Sequence, residues 1–471
     1  MREYGLFING EWLLTAEKHV VANKATGQSL GAISVAGKRE VTAAVDAAVH
    51  AYQTVQVEPY RRYEILMKAS RLLIRDQQKL AQLLCAEVGK PMKEALAEVS
   101  RAEQTLLLSA EEAKRMTGEM VPLQGSSGCG SRWAFTLRVP VGVVCAITPF
   151  NFPLNLACHK IGPALAAGNA VIYKPATATP LSAVMLCEIL AEAGLPAGYL
   201  NLVTGSGSQL GRFLTEDQRI NFYSFTGSPA VGKSLAKNTG MRRVALELGS
   251  NSANIVHHDT DIKAAAEMCV RYAFANAGQV CISCQRVYVH QSVYQDFCDQ
   301  AVAFAQQLKV GDPLDAATDI GPMISEQEAA RAEAWVEEAV AHGAKVLTGG
   351  KRHKAWLEPT ILTDVQPEMK VIRQEAFAPL FSIVPYQEIS EAIALVNDST
   401  YGLQAGVFTN SVNVVKSCAM KIAVGGVMIN DGATFRTDNM PYGGIKESGL
   451  GKEGPQYTVK EMTEEKLIVF A

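Results

Sequence analysis

No stretch of this chain approaches the run of about 18 apolar residues that a membrane-crossing helix needs. The first residues, MREYGLFINGEWLL, are charged and then turn-like, without the apolar core of a secretory signal. An excess of one charge sign is also missing: 44 basic side chains meet 47 acidic ones, and no basic block stands out. A nucleic-acid or anionic-membrane partner therefore has no electrostatic footprint. There is no internal repeat and no low-complexity tract. The 10 cysteines are scattered through apolar runs such as VVCAIT and VMLCEIL. In a reducing compartment that is the pattern of small buried hydrophobes, not of disulfide halves. These absences lead us to expect a soluble, cytoplasmic protein.

What is present is an ordinary globular composition, 48% hydrophobic and 19% charged. At 471 residues the chain exceeds what one core usually supports, so two or three domains are expected. Apolar residues recur at helical spacing through Ile65, Leu66, Leu72, Leu73, Leu80, Leu83 and Leu84, until Gly89 and Pro91 stop the pattern. Short apolar runs then alternate with helical segments: strand VGVVCAIT, helix LNLACHKIGPALAAG, strand AVIYKP, helix LSAVMLCEILAEAG, strand YLNLVTG. The series continues with helix SQLGRFL, strand INFYSFTG, helix PAVGKSLAK and strand RVALELG. Such alternation predicts a parallel, doubly wound α/β sheet. A second α/β series starts near Asn251, with helix DIKAAAEMCVRYAFANA, strand RVYVH, a helix over 294–308 and strands LQAGVF and GGVMIND. The segment GEMVPLQGSSGCGSRWAFTLRVPVG lacks helical periodicity and reads as a β excursion, as does the tail EEKLIVFA. Extended segments outside both domains can pair between subunits, because an exposed edge needs a partner.

Two patterns carry chemistry. FTGSPAVGK puts Gly227 at a strand end and Gly232 inside the next helix, and VTGSGSQLG puts Gly205 at the preceding strand end. Such glycines let a backbone and a helix N-terminus approach a pyrophosphate, although the spacing is not GxGxxG and packing glycines in a βα turn read the same way. An acid some 20 residues further on is the usual ribose partner, and Glu247 sits near enough to suggest it. The second pattern is FANAGQVCISCQRVYV, with Cys281 and Cys284 three positions apart. These two are open to reading as a metal clip, a redox pair, or one working thiol and a bystander. A working thiol needs a nearby base, donors for an oxyanion and a route for a second half-reaction. Glu247 and Asn151 both follow strands, at the ends where open α/β sheets place their sites.

The ordered motifs TPFNFPLN, GPALAAGNAVIYKPATATPLSA, FTGSPAVG, LELGSNSAN, GQVCIS, EAFAPL and MPYGGIKESGLG resemble the aldehyde dehydrogenase superfamily over nearly the whole chain. The resemblance implies that fold: two doubly wound parallel-sheet domains plus a small β oligomerisation extension. It divides the chain into a dinucleotide-binding domain (1–115 and 140–247), a catalytic domain (248–445) and β oligomerisation segments (116–139 and 455–471). It implies Cys281 as the nucleophile, Asn151 as oxyanion donor and Glu247 as the base that hydrolyses a thioester, not as a ribose ligand. Lys174, Thr177, Gly205, Gly227, Ser228 and Gly232 are implied to hold NAD or NADP, with Glu375 and Phe377 at the nicotinamide ribose. Zinc wants about four ligands and no second Cys or His pair lies at metal spacing. No metal is expected, and Cys284 is expected to line the pocket, within reach of an inactivating Cys281–Cys284 disulfide.

Where many NAD-preferring relatives carry a carboxylate three residues past the lysine, this chain has Thr177, so NADP is admissible. The motifs GSNSAN and ISCQR look closest to the branch of lactaldehyde, non-phosphorylating glyceraldehyde-3-phosphate, phosphonoacetaldehyde and sulfolactaldehyde dehydrogenases. Arg101, with His159 and Arg436, is expected to favour a carboxylate, phosphonate, sulfonate or phosphate tail, unless Arg101 pairs with Glu98 or Glu103 on its own helix. Val280 is apolar where some phosphonate-oxidising relatives place an arginine, which keeps a small hydroxyaldehyde such as lactaldehyde in view. The alternatives are a CoA-acylating semialdehyde dehydrogenase, against which Glu247 counts, and a non-catalytic nucleotide-binding relative. A homodimer or homotetramer is expected.

Overall fold

The run VVCAI at Val143–Ile147 is buried along nearly its whole length. A strand with both faces apolar belongs inside a parallel sheet whose faces are covered by helices. In the computed structural model, which describes residues 1–471, it is the pivot of an eight-stranded sheet. The parallel strands lie in the order Arg243–Glu247, Phe222–Thr226, Val143–Ile147, Ala170–Lys174, Leu200–Leu202. The chain winds outward from 143–147 to 200–202, then crosses back to build 222–226 and 243–247. The reversal falls between 143–147 and 222–226, and crevices at the carboxyl side of such a switch bind ligands. An antiparallel Gly449–Leu450 closes one edge, and the hairpin Leu6–Ile8 with Glu11–Leu13 closes the other.

Helix Asn155–Ala167 is buried at every position, between this sheet and helix Met92–Ala113. Its N-cap position is Leu154, which offers no capping side chain. Glu98 supplies the cap from outside, accepting from the backbone N–H of Leu154 (2.9 Å) and Asn155 (3.2 Å). The helical pattern over 60–88 divides into Pro59–Arg75 and Gln77–Val88, with the break at Asp76.

The second sheet has seven strands, in the order Lys345–Thr348, Thr360–Thr363, Leu380–Tyr386, Arg286–His290, Ala253–Val256, Gln404–Phe408, Gly426–Ile429. All but the first run parallel. The short segment 248–252 connects the carboxyl end of Arg243–Glu247 to the amino end of Ala253–Val256. One sheet therefore meets the intervening cleft with its strand ends, the other with its strand beginnings.

A third sheet pairs Thr463–Phe470 with Trp133–Pro140, flanked by Met120–Val121. Trp133 stacks on Phe470 at 4.3 Å between ring centroids. The tail is not β throughout: Pro455–Glu461 is a helix, because Gly454 turns the chain at φ 112° and Pro455 occupies the first helical position. Val459 and Met462 join the apolar core around the first sheet.

Candidate active site

The carboxyl ends of the first sheet carry most of the residues singled out from sequence. Asn151 follows 143–147, Lys174 closes 170–174, Gly205 follows 200–202, and Glu247 closes 243–247. Gly227 and Ser228 join 222–226 to helix Pro229–Asn238. Gly232 lets that helix lie close on the connection to the second sheet, since an added Cβ would fall 2.5 Å from Leu248 Cδ2. Ser228 is the extended N-cap with Pro229 at N1, and no side chain caps the first-turn N–H groups. Those free donors and the positive helix end suit a phosphate. Lys174 is buried with only the Pro175 carbonyl as partner (3.0 Å), and burial lowers its ammonium to about 8. The Thr177 hydroxyl donates to the Gly205 carbonyl (2.9 Å). A glycine cradle, an uncapped helix start and an under-partnered buried cation fit a dinucleotide.

Cys281 comes from the other side. It lies between helix Ile262–Phe274 and strand Arg286–His290, so the nucleophile candidate sits at the amino end of its strand, whereas Asn151 and Glu247 sit at carboxyl ends. Helix Ile262–Phe274 ends in a left-handed run: Asn276 at φ 50°, Ala277 at 53° and Gly278 at 69°. Two non-glycine residues there are costly and persist only when their surroundings hold them. Glu94 accepts from Asn276 N–H (2.9 Å), and the Asn276 side chain donates to the Asn151 carbonyl (3.2 Å). The Asn151 side-chain amide donates to the Gln279 carbonyl (2.8 Å), while its Oδ1 is unpartnered. The loop that delivers Cys281 is thus tied to the first sheet through Asn151.

The Cys281 sulfur lies 2.9 Å from the Tyr442 hydroxyl. Burial pushes its thiol up to about 11; Tyr442 and Arg436 pull it down, and Glu375 and Glu247 raise it further. Glu247 is buried with Oε2 unpartnered. Burial first, then the Glu453 carboxylate, raise it well above the carboxylate range. Gly443 makes room for it: a Cβ there would lie 2.9 Å from Glu247 Oε1. Glu375 accepts from Ser250 N–H (3.1 Å), and burial raises it to about 7. Phe377, at φ 47°, meets Phe150 edge-on at 5.8 Å.

The substrate-side residues are arranged otherwise than expected. Arg101 pairs with neither Glu98 nor Glu103. Its Nη2 donates to Asp438 Oδ1 (2.8 Å) and its Nε to Oδ2 (3.2 Å). His159 Nε2 meets the same Oδ1 at 2.8 Å, and Asn155 donates to it at 3.2 Å. Burial works against ionising Asp438, but His159 and Arg101 outweigh it and hold the carboxyl far below the usual range. Arg436 is buried against Glu453 (3.1 Å), which also accepts from Lys160 (2.6 Å). Cys284 does not line the pocket: it is fully buried in the core under helix Ile262–Phe274, where Asn254 Nδ2 donates to its sulfur at 2.9 Å. All ten cysteines are free thiols. Asp438, Tyr442 and Glu453 were missed from sequence. Asp438 lies 337 positions from Arg101, and only its place beside MPYGG pointed to it. No group of three or more His, Cys, Asp or Glu side chains is set to hold a metal ion, and no helix is long and apolar enough to cross a membrane.

A family model described as the aldehyde dehydrogenase family matches residues 12–468. The 3-sulfolactaldehyde dehydrogenase of Priestia aryabhattai is 53% identical over 469 residues, spanning 100% of this chain and 98% of its own. The lactaldehyde dehydrogenase of Methanococcus maripaludis strain C5 is 41% identical over 469 residues, spanning 98% and 99%. Among solved structures, a glyceraldehyde-3-phosphate dehydrogenase of Methanocaldococcus jannaschii complexed with NADP superposes with a TM-score of 0.93. It is 38% identical, and the match spans 97% of this chain and 100% of that one.

Proposed function

The chain belongs to the aldehyde dehydrogenase family, NAD(P)-dependent oxidoreductases acting on aldehydes, and from that premise we propose that it oxidises a short, anionic-tailed hydroxyaldehyde through a covalent intermediate on Cys281. The observation that carries this is that Cys281, from the beginnings of one sheet, sits on a loop tied through Gln279 to Asn151 and within electrostatic reach of Glu247, both from the ends of the other. Lys174, Thr177, Gly205, Gly227, Ser228 and Gly232 would hold the adenosine and pyrophosphate of the cofactor, and Glu375 and Phe377 its nicotinamide ribose. When bound, NAD(P) supplies the hydride acceptor.

The Cys281 sulfur attacks the aldehyde carbon, forming a thiohemiacetal whose oxyanion is stabilised by the Asn151 amide and the Cys281 backbone N–H. Loss of the hydride leaves a thioester on Cys281. Glu247 then takes a proton from a water molecule as that water attacks the thioester carbon, releasing the acid and the free thiol. A buried carboxyl held high is a strong base once ionised, which suits this second half. Because the Thr177 hydroxyl spends its proton on Gly205, it presents acceptor lone pairs outward. Those match the ribose hydroxyls of NAD better than the phosphate of NADP.

For the substrate, Arg101 is one-third exposed and its Nη1 makes no hydrogen bond. It can donate to a sulfonate or similar tail while Asp438 holds its other edge. A relative at 53% identity named for 3-sulfolactaldehyde supports that choice. Lactaldehyde is the second reading, because Arg101 and Arg436 are each already paired with a carboxylate, Asp438 and Glu453. A panel of neutral, carboxylated, phosphorylated and sulfonated short aldehydes, each with NAD and with NADP, tests both points. We expect the sulfonated hydroxyaldehyde with NAD to give the highest kcat/KM. Arg101→Ala should raise KM for charged members roughly tenfold or more over neutral ones; equal effects reject the anionic tail. We further assign residues 1–115 and 140–247 to cofactor binding, 248–445 to the nucleophile side, and the third sheet to oligomerisation.

A further inference from the structure

The sulfur of Cys281 has a single hydrogen-bond partner, the Tyr442 hydroxyl, and the two half-reactions above leave that hydroxyl without a task. It is held unusually firmly. Tyr442 is buried, and it exchanges two backbone hydrogen bonds with Glu453, 3.0 Å and 2.6 Å long. The Arg436 guanidinium lies over its ring, 3.6 Å from the centroid. Arg436 is itself fixed by Glu453, and Glu453 by Lys160. A phenol anchored by its backbone, under a cation anchored by an ion pair, cannot swing away from the sulfur. A cation on the ring face draws electron density from the phenol and sharpens it as a donor.

We infer that Tyr442 is a further catalytic residue: its hydroxyl donates to the Cys281 sulfur and favours the thiolate over the thiol. The inference rests on Cys281 being the nucleophile. A donor to sulfur is worth most when the sulfur is anionic, because hydrogen bonds to charged acceptors are the strong ones. Tyr442 remains a donor throughout, since burial and the adjoining sulfur keep its own proton on. Once the sulfur is acylated it no longer carries charge, and the bond has done its part before hydrolysis begins.

The test uses cofactor-free enzyme and the isosteric Tyr442→Phe, which keeps the ring under Arg436. Alkylation by iodoacetamide, in which the thiolate displaces iodide, is followed on the peptide bearing Cys281 from about pH 6 to about pH 11. The profile should move up by about one pH unit or more, so that alkylation near pH 8 slows roughly tenfold. The kcat/KM for the aldehyde should fall with it. An unmoved profile overturns the inference and reduces Tyr442 to packing. Cys281→Ala separates the two claims: turnover surviving in that variant would sink the nucleophile reading, whereas an inert Cys281→Ala beside an unmoved Tyr442→Phe profile sinks this one alone.

Discussion

At the scale of single residues, protonation decides which half-reaction each group can serve. Burial and the Glu453 charge hold the Glu247 proton on, so its basic form grows as pH rises. Deacylation should therefore accelerate with pH until the carboxyl is fully ionised. Glu247→Gln should give a burst of about one reduced cofactor per subunit and then stall, because acylation survives without its hydrolysis. Rapid-mixing absorbance of reduced nicotinamide reads this directly, and a variant running at the parent's steady rate removes the glutamate from its role. Cys281, Glu247 and Asn151 were legible as residue types in loops and at strand ends, yet only the ordered motifs singled them out. Asp438 and Tyr442 were legible only as neighbour and member of the MPYGG motif, with no role assigned. Their partners sit 337 and 161 positions away, and no local pattern records a contact made by the closure of two sheets.

Elements were more legible than contacts between them. Strands with apolar residues on both faces announced the first sheet, because nothing else buries such a run. The break at Asp76 escaped, since apolar spacing continues across it. So did the helix at Pro455–Glu461, where only the Gly454–Pro455 pair betrays a helix start. Glu98 shows what spacing cannot say. It lies three residues before Arg101 on one helix, but it turns inward to cap helix Asn155–Ala167 and to pair with Lys90 in full burial. Glu98→Ala would strip two helix-end N–H groups of their acceptor and leave a buried ammonium alone. The expected loss is about 3–5 kcal/mol, measured as a shift in urea midpoint. A loss below about 1 kcal/mol would place the pair among exposed ion pairs of little consequence.

At the scale of the whole molecule, the third sheet is the conspicuous apolar surface. Met120, Trp133, Leu137 and Phe470 are exposed on one face of it, and Leu467 and Val469 on the other, apolar area of the kind that marks an interaction surface. A sizing column should return a dimer or tetramer, and Leu467→Asp with Phe470→Asp should shift it toward monomer. A parent that elutes as a monomer overturns the oligomerisation reading. The proposed nucleophile hangs from one half of the molecule and the proposed oxyanion donor and base from the other, joined by residues 248–252 and again where the chain returns from 426–429 to 449–450. Catalysis is thus a measure of how well the two halves keep alignment. A slight shift of one half against the other would part the reacting groups while both cores stayed intact, so this enzyme can fall silent long before it falls apart.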